Sequence, residues 1–375
     1  MLKGIHLTLL IGPAVPLPVP QIVVESLTAV QVNSDKERSG FQLTFSVGKN
    51  SPLLTTMLPA GYFDPIITRV IIVVTLGGMP NVLMDGIITR QELAPSNEPG
   101  QSTLTVTGED LSVLMDIVEM PFMRYPAQSV SVRVLAILAK YLVFGIVPIV
   151  LPEIPPEFAV PIKEIPTQTG TDLSYIRSLS YQTGYIFYVE PGPAPGVSIA
   201  YFGPDIRLPV PQPALNINMD AHTNVESLSL SLDGLAKKIM VYMIYDPATE
   251  KIPVPIPVPN LSILRPPLGA RLTPPAKVEF PGYGSNRSPL KAANEILGMT
   301  FRASDAISGS GTLDVLRYGR VLRSRQLVGV RGVGMAYDGM YYVNSVTHNI
   351  KRGEYKQNFS LSRDGLISLT PRVLP

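Results

Sequence analysis

"YDGMYYVNSVTHNIKRGEYKQNFSLSRDG", residues 337–365, carries the clearest strand and turn pattern in the chain. Tyr341 to Ile350 is rich in Tyr, Val, Thr and Ile, while Tyr355 to Arg363 alternates Tyr355, Phe359 and Leu361 against Lys356, Asn358, Ser360 and Ser362. Period-two alternation sends one row of side chains into a core and the other into water, so both halves read as strands. Between them lies Lys351-Arg352-Gly353-Glu354, where Gly353 can take a positive φ and the charged neighbours favour solvent. Asp364-Gly365 closes the second strand with another turn signal. The stretch is a complete antiparallel hairpin, with Tyr342, Val346, Tyr355, Phe359 and Leu361 as its structural or interface positions.

The signals from Ile22 to Leu111 are almost all β: "VVESLTAVQV", "GFQLTFSVG", "ITRVIIVVTLGG", "VLMDGIITRQEL" and "STLTVTGEDL". Strands at this spacing, separated by "NSDKERSG", "GGMPN" and "APSNEPGQ", suggest an antiparallel barrel or sandwich. The middle changes period. Ser129 and Ser131 precede the helical pattern "VRVLAILAKYLV", and Thr171 or Asp172 can cap "LSYIRSLSYQTG" before the strand "YIFYVE". β-patterning returns with "VESLSLSLDG" and "KKIMVYMIYD"; Ser288-Pro289 then opens another helix, and after the break "SGSGT" the chain is β to its end.

The 38 prolines gather in "GPAVPLPVPQ" (12–21), "LPEIPPEF" (151–158), "LPVPQPAL" (208–215) and "KIPVPIPVPN" (251–260). Alternating Pro lacks ladder donors, which makes these runs edges or connectors rather than central strands. An SH3-type ligand is the competing reading, but no basic anchor sits beside the spacing in 251–260.

"DGIITRQELAPSNEPGQSTLTVTGEDL" (85–111) echoes "YVNSVTHNIKRGEYKQNFSLSRDGL" (342–366). Each is a strand, a polar turn containing Gly, a second alternating strand and an acidic turn running into Leu, the pattern expected of one unit present twice. A trimer of such a chain would set six similar units around one axis.

The 375 residues suffice for two or three domains. Charged residues are only 16% and the formal net charge is +2, which argues against nucleic-acid specificity. A mean hydropathy of +0.23 with so few charges points to apolar surface hidden between subunits. No Cys is present, which excludes disulfides, thiolate metal sites and a Cys nucleophile, and His6, His222 and His348 are the only histidines. Leu7 to Val24 and Ser129 to Val150 are apolar, but Pro, Gly or charge interrupts both, so no stable membrane insertion is expected; the thin basic region before Pro13 does not suit a signal peptide, and the chain reads as soluble and unprocessed.

Three stretches together resemble a known family. "TDLSYIRSLSYQTGYIFYVE" (171–190) resembles the helix-then-strand signature in the hub proteins of phage tails and type VI spikes, and "TNVESLSLSLDGL" (223–235) resembles the strand that follows it. The closing hairpin is similar to the one near the end of the hub region in the phage late control protein D family. The resemblance spans roughly 20–368 and implies a β-rich α+β fold: two tail-tube-like antiparallel β-barrels with an inserted α/β portion. The expected divisions are a Pro-rich arm (1–20), a first barrel (21–115), the inserted portion (116–221), a discontinuous second barrel (222–246 plus 311–368), a Pro-rich connector and helix (247–310) and a tail (369–375). Implied with it is a homotrimeric baseplate hub forming a pseudo-six-fold ring between a six-fold inner tube and a three-fold spike. Its partners would be copies of itself, a separate spike protein, an inner tube or tube-initiator protein and other baseplate components. Assembly would take place in the bacterial cytoplasm, into a virion tail or an injection-system particle. The additional spike domains of fused relatives are not expected in this chain, so the spike is expected to be a separate protein.

No cofactor, metal or enzymatic activity is expected. His348 reads as a sheet histidine with a hydrogen-bonded ring. Glu109/Asp110 and Glu153/Glu157 could be a glycosidase pair in a tail-tip peptidoglycan hydrolase, but they fall at a strand end and in a connector. "GVRGVGMAYDG" (329–339) is no phosphate loop, and no GxSxG elbow exists. Arg317, Arg320, Arg323 and Arg325 in "RYGRVLRSRQ" suggest a solvated or lumen-facing strand, or a contact for an acidic partner. A carbohydrate- or receptor-binding β-protein is the remaining alternative.

Overall fold

The structure is a computed structural model describing residues 4–98, 100–153, 165–207, 210–245, 253–258, 266–279 and 305–369. Its first strands are β1 (Ile5–Pro13), β2 (Leu17–Pro18), β3 (Leu27–Ser34), β4 (Ser39–Val47), β5 (Thr68–Leu76), β6 (Met79–Ala94) and β7 (Ser102–Asp110), with a short helix α1 (Gln21–Ser26) after β2. The middle carries α2 (Val130–Ala139), β8 (Ile146–Val150), α3 (Asp172–Thr183), β9 (Ile186–Pro191) and β10 (Ser198–Gly203). There follow β11 (Gln212–Asn216), β12 (Val225–Leu232), β13 (Lys238–Tyr245), β14 (Pro253–Val258), β15 (Gly269–Leu272) and β16 (Lys277–Glu279). β17 (Ile307–Asp314), β18 (Leu327–Arg331), β19 (Gly339–Lys351), β20 (Glu354–Arg363) and β21 (Gly365–Ser368) end the described chain.

One sheet of 13 strands dominates, in the order β12-β17-β20-β19-β3-β4-β7-β6-β5-β1-β2, with β18 beside β19 and β11 beside β18. The chain is therefore β-rich, with a large antiparallel sheet and few helices, as expected. No closed barrel is found among the described residues: the sheet ends at β12 on one side and β2 on the other.

The sheet consists of one pattern laid down twice. β3, β4, β7, β6 and β5 are neighbours in that order, and so are β12, β17, β20, β19 and β18. The bulges recur as well. β3 shifts register on β4 between Leu27 and Ala29, as β12 does on β17 between Val225 and Ser227. β6 shifts on β7 between Ile88 and Arg90, as β19 does on β20 between Val343 and Ser345. Superposing these bulges makes Leu43↔Val106 equivalent to Gly311↔Phe359, which is the pairing observed. The echo read from 85–111 and 342–366 thus extends through five strands at single-residue register. It breaks at the sixth, because β1 lies antiparallel to β5 whereas β11 lies parallel to β18.

β19 joins the two halves. Along the edge away from β20, its first part pairs with β18 (Leu327↔Tyr342 to Val330↔Gly339) and its second with β3 (Val346↔Ser34 to Lys351↔Ala29). The β19–β20 turn runs through Arg352 and Gly353 between the pair Lys351↔Glu354, with Gly353 at φ 83°.

The α/β portion is a separate layer, with sheet order β8-β10-β9 and a core of its own. α2 contributes Val134, Ile137 and Leu138 and α3 contributes Leu173, Ile176 and Leu179, at helical spacing, over Ile146, Phe187, Val189, Ala200 and Phe202. Both expected caps form: Ser129 Oγ accepts from Val132 N and Thr171 Oγ1 from Ser174 N.

Several local departures from the sequence reading have identifiable causes. Segment 1–20, expected as an arm, supplies β1, which pairs along its whole length with β5. "VVES" is helical rather than extended: Pro20 precedes the first turn of α1, and Ser26 Oγ donates to the Ile22 carbonyl at 2.8 Å. "SGSG" lies inside β17 rather than before a strand, since a Cβ at Gly311 would stand 2.6 Å from Phe359 Cζ and 2.4 Å from the Ser227 carbonyl oxygen. The arginine run is a short helix, Val315–Tyr318, capped by Asp314 and followed by an irregular segment, not a strand. "KIPVPIPVPN" contributes β14, an edge strand as expected. The helix expected at Ser288-Pro289 lies outside the described residues.

Phe359, 3% exposed and lying over Gly311, is the test of this packing. Phe359→Ala should lower unfolding free energy by about 3–5 kcal/mol in urea melts, and Phe359→Asp should prevent the C-terminal strands from folding.

Candidate interaction surface

The hairpin positions singled out from sequence are brought together, but inside the chain. Val346, Tyr355, Phe359 and Leu361 are buried in the main core, and Tyr342 is buried against Leu268 and Leu327. The four arginines are not a patch. Arg317, Arg320 and Arg323 are exposed, with Arg323 donating to Asn81 Oδ1 at 3.2 Å, whereas Arg325 is drawn inward.

Arg325, like Arg207 and Arg69, forms a buried guanidinium clasp between regions far apart in sequence. It donates to Glu190 Oε2 at 2.9 Å and to the Asp35 carbonyl, and its guanidinium lies 4.1 Å from the Tyr188 ring centroid. It thereby ties β9 of the α/β layer to the turn after β3. Arg207 makes a bidentate pair with Asp305 at 3.1 and 2.9 Å and lies 4.3 Å from the Tyr342 ring centroid. Tyr342 Oη donates to Asp205 Oδ1 at 2.7 Å, and Ser362 Oγ donates to Asp305 Oδ2 at 2.5 Å. Burial works against the Arg207 charge, but Asp305 and then Asp205 outweigh it and hold its pKa above the usual value. Arg69 pairs with Asp85 at 2.6 and 2.7 Å and donates to the Gly196 carbonyl, while Ser198 Oγ also donates to Asp85.

Sequence reasoning missed Arg69, Asp85, Asp205, Arg207 and Asp305. A usable signal existed for two of them: Arg69 and Asp85 are lone charges inside the apolar runs "ITRVIIVV" and "VLMDGII". A charge at such a position is buried and needs a partner.

Of the carboxylates considered for acid–base chemistry, Glu153 and Asp110 are committed to backbone. Glu153 accepts from Val130 N at 2.7 Å and Ser131 N at 3.1 Å, holding the α2 N-terminus. Asp110 accepts from Ser39 N and Ser112 N, and burial raises its pKa. Glu157 lies outside the described residues. His348 is the expected sheet histidine: its Nδ1 is 2.8 Å from Tyr355 Oη and 3.2 Å from Gln357 Nε2. Burial, with a smaller contribution from Arg323, lowers its pKa to about 3. No group of three or more His, Asp or Glu residues able to hold a metal occurs among the described residues, and no described helix is long and apolar enough to cross a membrane.

What the surface does offer is apolar side chains and strand edges. Phe122 is 81% and Val143 82% exposed. Beyond Ile87, where pairing with β5 stops, β6 runs on through Arg90–Ala94 with only β7 beside it among the described residues, and β12 there has only β17. Exposed edges of this kind attract further strands.

Solved structures that share this fold include phage tail proteins and type VI secretion components. The tail protein from Neisseria meningitidis aligns over 97% of this chain and 98% of its own length, at TM-score 0.62 and 14% identity. A 43 kDa prophage tail protein from Shewanella oneidensis aligns over 96% and 99%, at TM-score 0.60 and 13% identity. An E. coli component of the type VI secretion system, described as structurally similar to T4 bacteriophage tail proteins, aligns over 93% and 77%, at TM-score 0.51 and 13% identity. No protein-family model matches the sequence, and no curated protein matches it. The chain has the fold of phage tail proteins and of type VI secretion components, in line with the resemblance carried by residues 171–190, 223–235 and 337–365.

The buried His348 gives a pH test. Its folded pKa lies below the ordinary 6.5, so the unfolded chain takes up a proton that the folded chain refuses. Stability should therefore fall by about 1.4 kcal/mol per pH unit as pH drops from about 6.5 toward 3, and His348→Gln should remove that slope from the wild-type curve in urea melts. Arg207→Ala, which strands Asp305 and Asp205, should cost about 3–5 kcal/mol in the same assay.

Proposed function

We propose that this protein is the baseplate hub of a contractile tail or injection system, a homotrimer whose duplicated units form a pseudo-six-fold ring. One observation carries the reading: a chain with the fold of tail proteins end to end contains five strands repeated at single-residue register. Three such chains present six near-equivalent units, the number needed to meet a six-fold inner tube on one side while keeping three-fold symmetry for a spike on the other. In this reading the two units are tube-like barrels, 21–115 extended by β1, and 222–246 with 311–368. Segments 116–221 and 247–310 form the inserted portion, and 369–375 is a tail.

Partners are other copies of the chain, a separate spike protein, the inner tube or its initiator, and further baseplate components, within a virion tail or injection particle. The function resides in interfaces, with no catalytic step. Apolar burial across obligate contacts, at about 25 cal/mol per Å², supplies the association energy and offsets the entropy lost.

Light scattering and negative-stain class averages of the purified protein should give a trimer mass and a ring with six lobes. A monomer that forms no three-fold ring, even with its spike partner present, would rule the hub out. A peptidoglycan zymogram should show no clearing; lysis abolished by one carboxylate substitution would establish the hydrolase reading instead.

A further inference from the structure

The junction between the two halves of the sheet is a template for a second junction that the chain cannot make with itself. Inside the chain, the second half of β19 pairs with β3. By the repeated strand order, β6 is the equivalent of β19 and β12 the equivalent of β3. The equivalent contact therefore joins β6 to β12. Both strands leave the required edge unpaired among the described residues, and β12 and β6 stand well apart in the sheet order of one chain.

We propose that the C-terminal half of β6 pairs antiparallel with β12 of a second copy of this chain, in the register dictated by the internal junction. The shared bulges fix that register. Ile88 corresponds to Val343 and Arg90 to Ser345; Leu27 corresponds to Val225 and Ala29 to Ser227. The internal pairs Val346↔Ser34, Thr347↔Asn33, His348↔Val32 and Asn349↔Gln31 then become Gln91↔Leu232, Glu92↔Ser231, Leu93↔Leu230 and Ala94↔Ser229 between copies. One step further, Arg90 of one copy falls beside Asp233 of the next, opposite charges at the mouth of the junction.

Burial supports this register. At the internal junction His348 and Val32 face inward and are buried, while Asn33 and Gln31 face out. Their counterparts repeat the alternation: Leu228 and Leu230 are partly buried against the core, while Ser227, Ser229 and Ser231 are exposed. Leu93 pairs with the buried Leu104 within its own hairpin yet is 42% exposed, and Leu232 is 38% exposed. A strand laid along each edge covers both. Shifting the pairing by one residue would set the inward-facing Leu93 of one copy opposite the outward-facing Ser229 or Ser231 of the next, so the two pleats would no longer match.

This inference rests on the trimer reading above and specifies which strands meet and in what register. Because the chain has no cysteine, disulfide trapping is clean. At the internal junction Thr347 Oγ1 and Asn33 Oδ1 are 3.1 Å apart, so the outward-facing equivalents, Glu92 and Ser231, lie within reach of a disulfide between copies. Full-length Glu92→Cys/Ser231→Cys, oxidised mildly, should give covalent dimers and trimers on a non-reducing gel. Asn33→Cys/Thr347→Cys should close within one chain, and the shifted pair Glu92→Cys/Ser229→Cys should give no ladder. Leu93→Asp should abolish the oligomer on light scattering while circular dichroism stays that of the wild type. A three-fold particle without the Glu92/Ser231 cross-link, or one untouched by Leu93→Asp, overturns this pairing and leaves the hub reading standing. Cross-linking that stops at dimers overturns the cyclic arrangement, and a protein that never associates overturns both readings.

Discussion

Everything in the sheet depends on β19 having two neighbours along one edge. Its first residues bond β18 and its later residues bond β3, so a single strand belongs to both repeats. The register shift between Val343 and Ser345 falls between the two contacts and gives the strand the bend that lets it serve both. Because a strand's side chains alternate with a period of two, an error of one residue in either contact would expose Val346, His348 and Ile350 together. The two halves are thus locked to each other by the same rule that locks each internally.

The guanidinium clasps act where the ladder cannot reach. The α/β layer has its own sheet and core, so its orientation on the large sheet is set by side chains: Arg325 to Glu190 and Tyr188, and Arg69 with Asp85 to Gly196 and Ser198. Arg207 and Asp305 fasten the chain leaving that layer to the residues entering β17 and, through Tyr342 and Ser362, to the hairpin. Buried ion pairs add little net stability compared with apolar packing, but each fixes a direction, since leaving one partner alone in the interior is costly.

Much of this was legible in the sequence where the cause is local. The turn at Arg352-Gly353, the caps at Ser129 and Thr171, and the edge character of the prolines from 253 to 257 follow from residue chemistry within a few positions. Where the reading failed, a partner distant in sequence decided the outcome. Gly309 and Gly311 look like a break until Leu230 and Phe359 are seen to occupy the space their side chains would need. β1 looks like an arm until β5 supplies its ladder. The arginine run lost its strand because Asp314 caps a helical turn and Arg325, at φ 61°, turns inward toward Glu190. Strand order itself, which carries the functional argument, has no local signature beyond the echo of one hairpin.

The proline edge of β14 has a meaning in a molecule with several strand edges to satisfy. With Pro at 253, 255 and 257 and β13 bonded through the residues between, every position facing away from β13 carries a carbonyl and no N–H. A strand arriving there would find acceptors without donors and could form half a ladder at best. The open edges at β12 and β6 are the reverse, complete in both groups. The sequence therefore sorts its described edges chemically, into some that a further strand could continue with a full ladder and one, at β14, that it could not.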